Sequence, residues 1–194
     1  KAARDEAALI DVLQLAARNF ADPHFIVGPF TDDDYAIIPT ASDIYAVARG
    51  NGFVVEQVRA GSDAAARGVK PGDRLAQIDG SSIPDAVADV LGRPFAQASA
   101  PQIDYALNTA LAGRRGQART IAIMSPGGTR VFALAPTAAL ADKVAESPDL
   151  HVERVGAIAV IRINNSLGEN EFIPRFRAAM EQVKDARAIL IDLR

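Results

Sequence analysis

The chain has 194 residues, 49% of them apolar and 23% charged, which is enough for one ordinary domain or two small ones and too apolar for wholesale disorder. Its 21 basic and 24 acidic residues give a net charge of -3, which argues against a nucleic-acid binder. No apolar run approaches the roughly 18 residues that span a bilayer. Cysteine is absent, which excludes disulfides, thiolate nucleophiles and cysteine zinc sites together. His24 and His151, the two histidines, are too few for a histidine-rich metal site. The first residue is Lys1 and not Met, so a leader, a longer N-terminal region or expression residues are expected to have been removed.

Residues 4–20 predict a helix, with Leu9, Val12, Leu13, Ala16 and Phe20 forming one apolar face. Asp5 and Glu6 suit its positive end, and Asp22-Pro23 stops it. Residues 25–39 hold two short apolar pieces around Asp32-Asp33-Asp34 and predict a hairpin. The acidic run has the spacing of a solvated turn, not of a calcium loop. Two strands are expected within 44–58, joined by Asn51-Gly52, which tolerates the positive φ of a hairpin turn. A short helix over 63–67 ends at Gly68, and Lys70-Pro71-Gly72-Asp73 turns the chain into a strand that Gly80 closes.

Residues 81–101, rich in Ala, Ser and Pro, read as a long connection with one apolar piece, AVADVL. Residues 102–112 predict a second amphipathic helix, with Ile103, Ala106, Leu107, Ala110 and Leu111 on one face. Two strands follow around a Pro126-Gly127-Gly128 turn, and 136–149 reads as linker with one helical turn. Residues 155–163 predict a strand, 170–184 a helix with Phe172, Ile173, Phe176, Met180 and Val183 on one side, and 188–193 a strand. Pro174 sits in that helix's first turn, where its missing N–H costs little. Strand, helix and strand with a short return make a βαβ unit.

The stretch from Gly52 to Gly80, with Gly61-Ser62-Asp63-Ala64, Gly68, Gly72-Asp73 and Ile78-Asp79-Gly80, resembles a PDZ domain of the bacterial protease-associated type. Position 63 carries Asp where Pro is usual, and Asp also favours a helix start. The wider order resembles the carboxy-terminal processing (tail-specific) peptidases, the S41 serine peptidases. Asp22-Pro23-His24 precedes the PDZ-like stretch, VGAIAVIRI would open the peptidase core, and AILIDLR would end its first βαβ unit.

The resemblance implies a mixed α/β fold: an N-terminal helical and strand segment over 1–40, a PDZ domain of five to six strands and two helices over 41–136, a linker over 137–154, and the incomplete start of an α/β peptidase core over 155–194. It implies an endopeptidase that cleaves polypeptides near their C-termini, exported or periplasmic, with no cofactor and no metal. The expected partners are polypeptide C-termini and the remaining peptidase segment, and a homo-oligomer is compatible with it.

In such PDZ domains a peptide C-terminus adds as an extra strand, its carboxylate held by loop N–H groups. The matching loop here is Ser42 to Ala46, so Asp43, Ile44, Tyr45 and Ala46 are candidate peptide-binding residues. Ile103, Ala106 and Leu107 would form the facing wall. The loop lacks the usual glycines, Asp43 would repel a carboxylate, and 81–101 is long enough to cover the groove. His24 is a candidate general base, since one branch of the family uses a histidine at this place. His151, beside Glu153, is expected to be solvated. Ser125, Ser147 and Ser166 do not sit where the family's nucleophile sits, so this stretch is expected to be inactive alone.

Residues 188–191 form an apolar run without alternation, the pattern of a strand buried on both faces. It predicts that the continuing polypeptide, or a second segment or chain, supplies further strands to complete the sheet, and a strand exposed on both faces would refute that. The alternative function is a non-catalytic PDZ adaptor that binds peptide C-termini tightly.

Overall fold

A computed structural model describes residues 3–125, 128–145, 148–164 and 168–193. Ser147, Ser166, Pro126 and Gly127 lie outside the described residues, as does Arg194. The chain forms two compact units, Lys1–Ala141 and Asp142–Arg194. The segment 1–40 therefore belongs to the same unit as 41–136.

The first unit is built on a six-stranded antiparallel sheet of order β1-β2-β3-β5-β6, with β4 paired to β3. The strands are β1 (Ile44–Arg49), β2 (Gly52–Val58), β3 (Arg74–Ile78), β4 (Ser81–Ser82), β5 (Arg119–Ser125) and β6 (Gly128–Leu134). Between β2 and β3 lies the short helix α2 (Asp63–Ala66), whose N-cap is Ser62. Asp63 takes the first helical position and accepts from Arg67 Nε and from Ala135 N, both at 2.9 Å. The lysine-proline-glycine turn is tied by Asp73, whose side chain accepts from Lys70 N at 2.9 Å.

The connection expected over 81–101 is a core helix instead. Helix α3 (Ile83–Leu91) buries Ile83, Ala86, Val87, Val90 and Leu91. Ser82 caps its start, and Gly92 ends it in the left-handed region at φ +63. α3 packs on α4 (Ala100–Ala112) and on β3, so it fills the core and covers no groove.

Helix α1 (Glu6–Arg18) forms as expected, but its orientation is reversed. Gln14 and Ala17 face inward, while Leu9, Val12 and Leu13 are 47%, 50% and 45% exposed and Phe20 is 70% exposed. The reason is polar. Arg18 Nε donates to Val90 O and Asn19 Nδ2 to Leu91 O, both at 2.9 Å. These carbonyls end α3 and have no partner within the helix. Gln14 Nε2 donates to Val27 O and Gln102 Nε2 to Asn19 O. Leu13→Gln should therefore shift unfolding free energy by no more than about 0.5 kcal/mol; a loss of about 2 kcal/mol or more in urea unfolding would place Leu13 in a core.

No hairpin forms over 25–39. The partner of this segment is the arginine-rich loop after α4. Tyr35 makes an isolated antiparallel bridge with Arg114, and Ala36 N donates to Gly113 O at 2.9 Å. The acidic run is a turn, as its spacing predicts, but it docks: Arg115 N and Gly116 N donate to Asp34 O and Asp32 O. Tyr35 lies between the Arg18 and Arg114 guanidinium groups, at 5.2 and 4.7 Å, and donates to Asp89 Oδ2 at 2.6 Å. Burial first, then Asp89, pushes its phenol above the ordinary range. A raised phenol pKa stabilises the fold fully below the free value of about 10, and the contribution is lost as pH climbs beyond it. Tyr35→Phe should cost about 1 kcal/mol at neutral pH and flatten the alkaline limb of the stability profile; an unchanged alkaline limb would contradict this.

Helix α5 (Ala138–Ala145) leads into the second unit, which is a three-stranded sheet of order β7-β8-β9. β7 (Leu150–Val155) pairs antiparallel with β8 (Ile158–Ile163), so the expected linker over 137–154 holds a helix and a strand. β8 pairs in parallel with β9 (Ala188–Asp192) across α6 (Phe172–Gln182), the expected βαβ unit. Ala159 and Ile161 pack against Ala179 and Val183, while Ile173, expected on the apolar side, is 49% exposed. β9 is the sheet edge. Ile189, Leu190 and Ile191 are 36%, 50% and 49% exposed, so the strand is open on both faces and the expected double-sided burial is not met. Among the described residues no helix is long and apolar enough to cross a membrane.

Candidate peptide-docking edge

β1 is the outermost strand of the first sheet, and α4 lies along it. Ile44, Tyr45, Ala46, Ile103, Ala106 and Leu107 are thus brought to one place, but most of their side chains are turned into the core. Ala46, Ala106 and Leu107 are 0% exposed and Ile44 is 1% exposed, all of them within the core, with Ile103 packed against it. Tyr45 is 39% exposed. Its phenol is raised by partial burial, then by Asp104 and Glu56. A bulge between Tyr45 and Ala46 shifts the β1–β2 register.

Asp43 is not a groove residue. It is 5% exposed and pairs with Arg119, itself 2% exposed, through Nη2 and Oδ1. Arg119 Nε donates to Leu111 O and Nη1 to Ala135 O. One guanidinium thus ties the start of β1, the end of α4 and the chain just after β6. The expectation that Asp43 repels a peptide carboxylate is corrected, because its charge is turned inward and matched. The carbonyls beside it are also taken: Arg59 N donates to Asp43 O, and the Arg59 side chain to Ser42 O and Pro39 O. Of the loop N–H groups, Ser42 N bonds Pro39 O at 3.0 Å.

The deciding side chain is Asn108, from the buried face of α4. Its Oδ1 accepts from Ala46 N at 2.9 Å, and its Nδ2 donates to Ala46 O at 3.0 Å and to Asp104 O at 2.8 Å. Asn108 is 3% exposed. Sequence reasoning passed over both Asn108 and Arg119. The available signs were a carboxamide amid Ala and Leu on a core helix, and an Arg at the inward parity of Ile121 and Ile123 on β5.

His24 stands apart from these residues. Its ring is 93% exposed, with Nδ1 3.0 Å from Asp22 Oδ1. Asp22 also accepts from His24 N at 2.9 Å, and that bond first, then the ring, holds its carboxyl below the usual carboxylate range. The pair leaves Nε2 facing outward. Ser125 Oγ donates to Gly128 O at 2.6 Å and serves its turn. His151 is exposed beside Glu153, at 3.8 Å.

Two cavities of the first unit lie elsewhere. One of about 50 Å³ sits between α1, the 23–38 segment and α4. The other, of about 170 Å³, is lined by Asp79, Asp89, Arg114 and Arg119 among others. Among the described residues no group of three or more His, Asp or Glu could hold a metal ion.

No family model matches the chain, and no curated protein matches it. Among solved structures it is similar to a photosystem II D1 C-terminal processing protease, at 15% identity and a TM-score of 0.45, covering 97% of this chain and 50% of that one. The chain thus spans half the length of that structure.

Proposed function

We propose that residues 1–141 are the PDZ-type recruiting unit of a serine endopeptidase of the carboxy-terminal processing kind, and that residues 142–194 open its hydrolytic core. The observation that carries this is the pairing of β8 with β9: the two segments that resemble the family's core, over 156–163 and 188–193, lie side by side and parallel across α6. The exposure of β9 on both faces speaks against the expectation that further strands complete this sheet; the reading rests on the order of the segments and on this pairing. In the proposed reaction a serine hydroxyl that none of residues 1–194 supplies adds to the scissile carbonyl. The amine leaves with a proton, and water releases the acyl group. Backbone N–H groups following Leu193-Arg194 would hold the oxyanion.

The adaptor reading expects tight capture of free peptide ends. The bonding of Ala46 to Asn108 weighs against tight capture, because at that one residue both edge groups are already bonded. The proposal is tested by the open reading frame after Arg194 together with an assay of residues 1–194. A frame that continues with a glycine pair close to Arg194, and an isolated 1–194 chain without hydrolysis, are expected. A frame that stops there, or inhibitor-sensitive cleavage by 1–194 alone, would overturn it.

A further inference from the structure

An edge strand offers unpaired N–H and C=O groups to any strand that adds to it. At Ala46, on the edge strand β1, both groups are taken by one side chain. Asn108 presents an acceptor to the N–H at 2.9 Å and a donor to the C=O at 3.0 Å. A residue of a neighbouring antiparallel strand does the same in a hydrogen-bonded pair. The carboxamide has the donors and acceptor of a peptide unit, so the match is chemical as well as geometric. Its remaining N–H goes to Asp104 O at 2.8 Å, which leaves the buried amide satisfied. An amide 3% exposed is costly to bury unless it is bonded, and Ala46 supplies two of its three bonds.

The geometry points to Asn108 as an internal gate: its carboxamide holds the place of an added strand, and an extended peptide docks on β1 only after that carboxamide has left Ala46. This inference rests on the recruiting role proposed above. Rotating the side chain alone is not enough, because Ala106 and Leu107 of α4 are 0% exposed against the same sheet. α4 must also move off β1. The incoming peptide restores to Ala46 the two bonds it loses, while Asn108 has to find water. Peptide affinity in the wild-type chain is therefore reduced by the cost of opening.

The test uses the whole 1–194 chain, nitrogen-labelled, and a short peptide with a free C-terminal carboxylate. Saturating peptide is expected to shift the Ala46 backbone N–H and the Asn108 side-chain NH₂ resonances. Asn108→Ala is expected to bind the same peptide on the order of tenfold tighter, since the lost pair is worth about that ratio. Saturation that leaves both resonances in place would overturn the gate and leave the recruiting role standing. Equal or weaker binding by a folded Asn108→Ala would also overturn the gate. Absence of binding by the wild type and by a folded Asn108→Ala would overturn the recruiting role, and the gate with it. If Asn108→Ala does not fold, the wild-type resonances decide alone.

Discussion

Arg119→Met should destabilise the first unit by about 3–5 kcal/mol, the largest loss expected from a single substitution in this chain. The change leaves Asp43, 5% exposed, without its counter-ion, and leaves Leu111 O and Ala135 O without their donor. Two uncompensated losses combine, an isolated buried charge and the unpaired carbonyl of buried Leu111, with the half-buried bond to Ala135 O lost as well. Asp43→Leu should be nearly as damaging, because it strands the guanidinium. The double variant Arg119→Met, Asp43→Leu should be less damaging than the two single losses added together, since neither charge is then left unpaired. Urea unfolding of the four proteins checks this. Single losses near 0.5 kcal/mol would mean that the pair is exposed and screened, contrary to its burial.

The second large effect lies in α3. Leu91→Ala should cost about 2–5 kcal/mol, the range for a fully buried leucine whose site collapses only in part. Leu91 is 1% exposed and belongs to the main core with Val87 and Val90. It also ends the helix whose last carbonyls Arg18 and Asn19 cap, so a shift there loosens α1 as well. A cost under about 0.5 kcal/mol would make α3 a surface cover, which is what the sequence alone suggested.

These two residues show where the sequence was legible and where it was not. Short apolar runs bounded by glycine turns mark the strands of the first sheet, so β1 to β3, β5 and β6 could be read directly; the β1–β2 turn lies one residue earlier than Asn51-Gly52, at Gly50-Asn51, with the positive φ on Gly50. The βαβ unit was equally plain from its switch in period. Helix α3 was missed because Ala, Ser and Pro around it look like loop, although Ser82 and Gly92 mark its two ends. Helix α1 was found, but its buried face was inverted. Apolar spacing assigns a face only when burial is driven by apolar area, and here Arg18 and Asn19 dock the other side through α3's free carbonyls. The 25–39 hairpin failed for a related reason: its backbone partners lie in the 113–116 loop, distant in sequence.

At the site, the sequence placed β1 beside α4 and named residues of both. It put Asp43 in the groove because a loop carboxylate reads as exposed until its counter-ion is known. Arg119 is 76 positions further on, and nothing local pairs the two. Asn108 reads as a polar interruption of a helix face; its pairing with Ala46 exists only once the helix is laid along the strand. The unbroken apolar run of β9 reads as burial, yet burial needs neighbours, and among the described residues β8 alone pairs with it.

The most direct measurement is an end-point cleavage assay with the protein made from the complete reading frame. The substrate is an unfolded polypeptide, offered with a free or an amidated C-terminus, and the products are read by mass. The account predicts scission near the free C-terminus, blocked by a serine-reactive fluorophosphonate, with the amidated form spared. Intact substrate in every case, with tight binding of the free terminus, would contradict it.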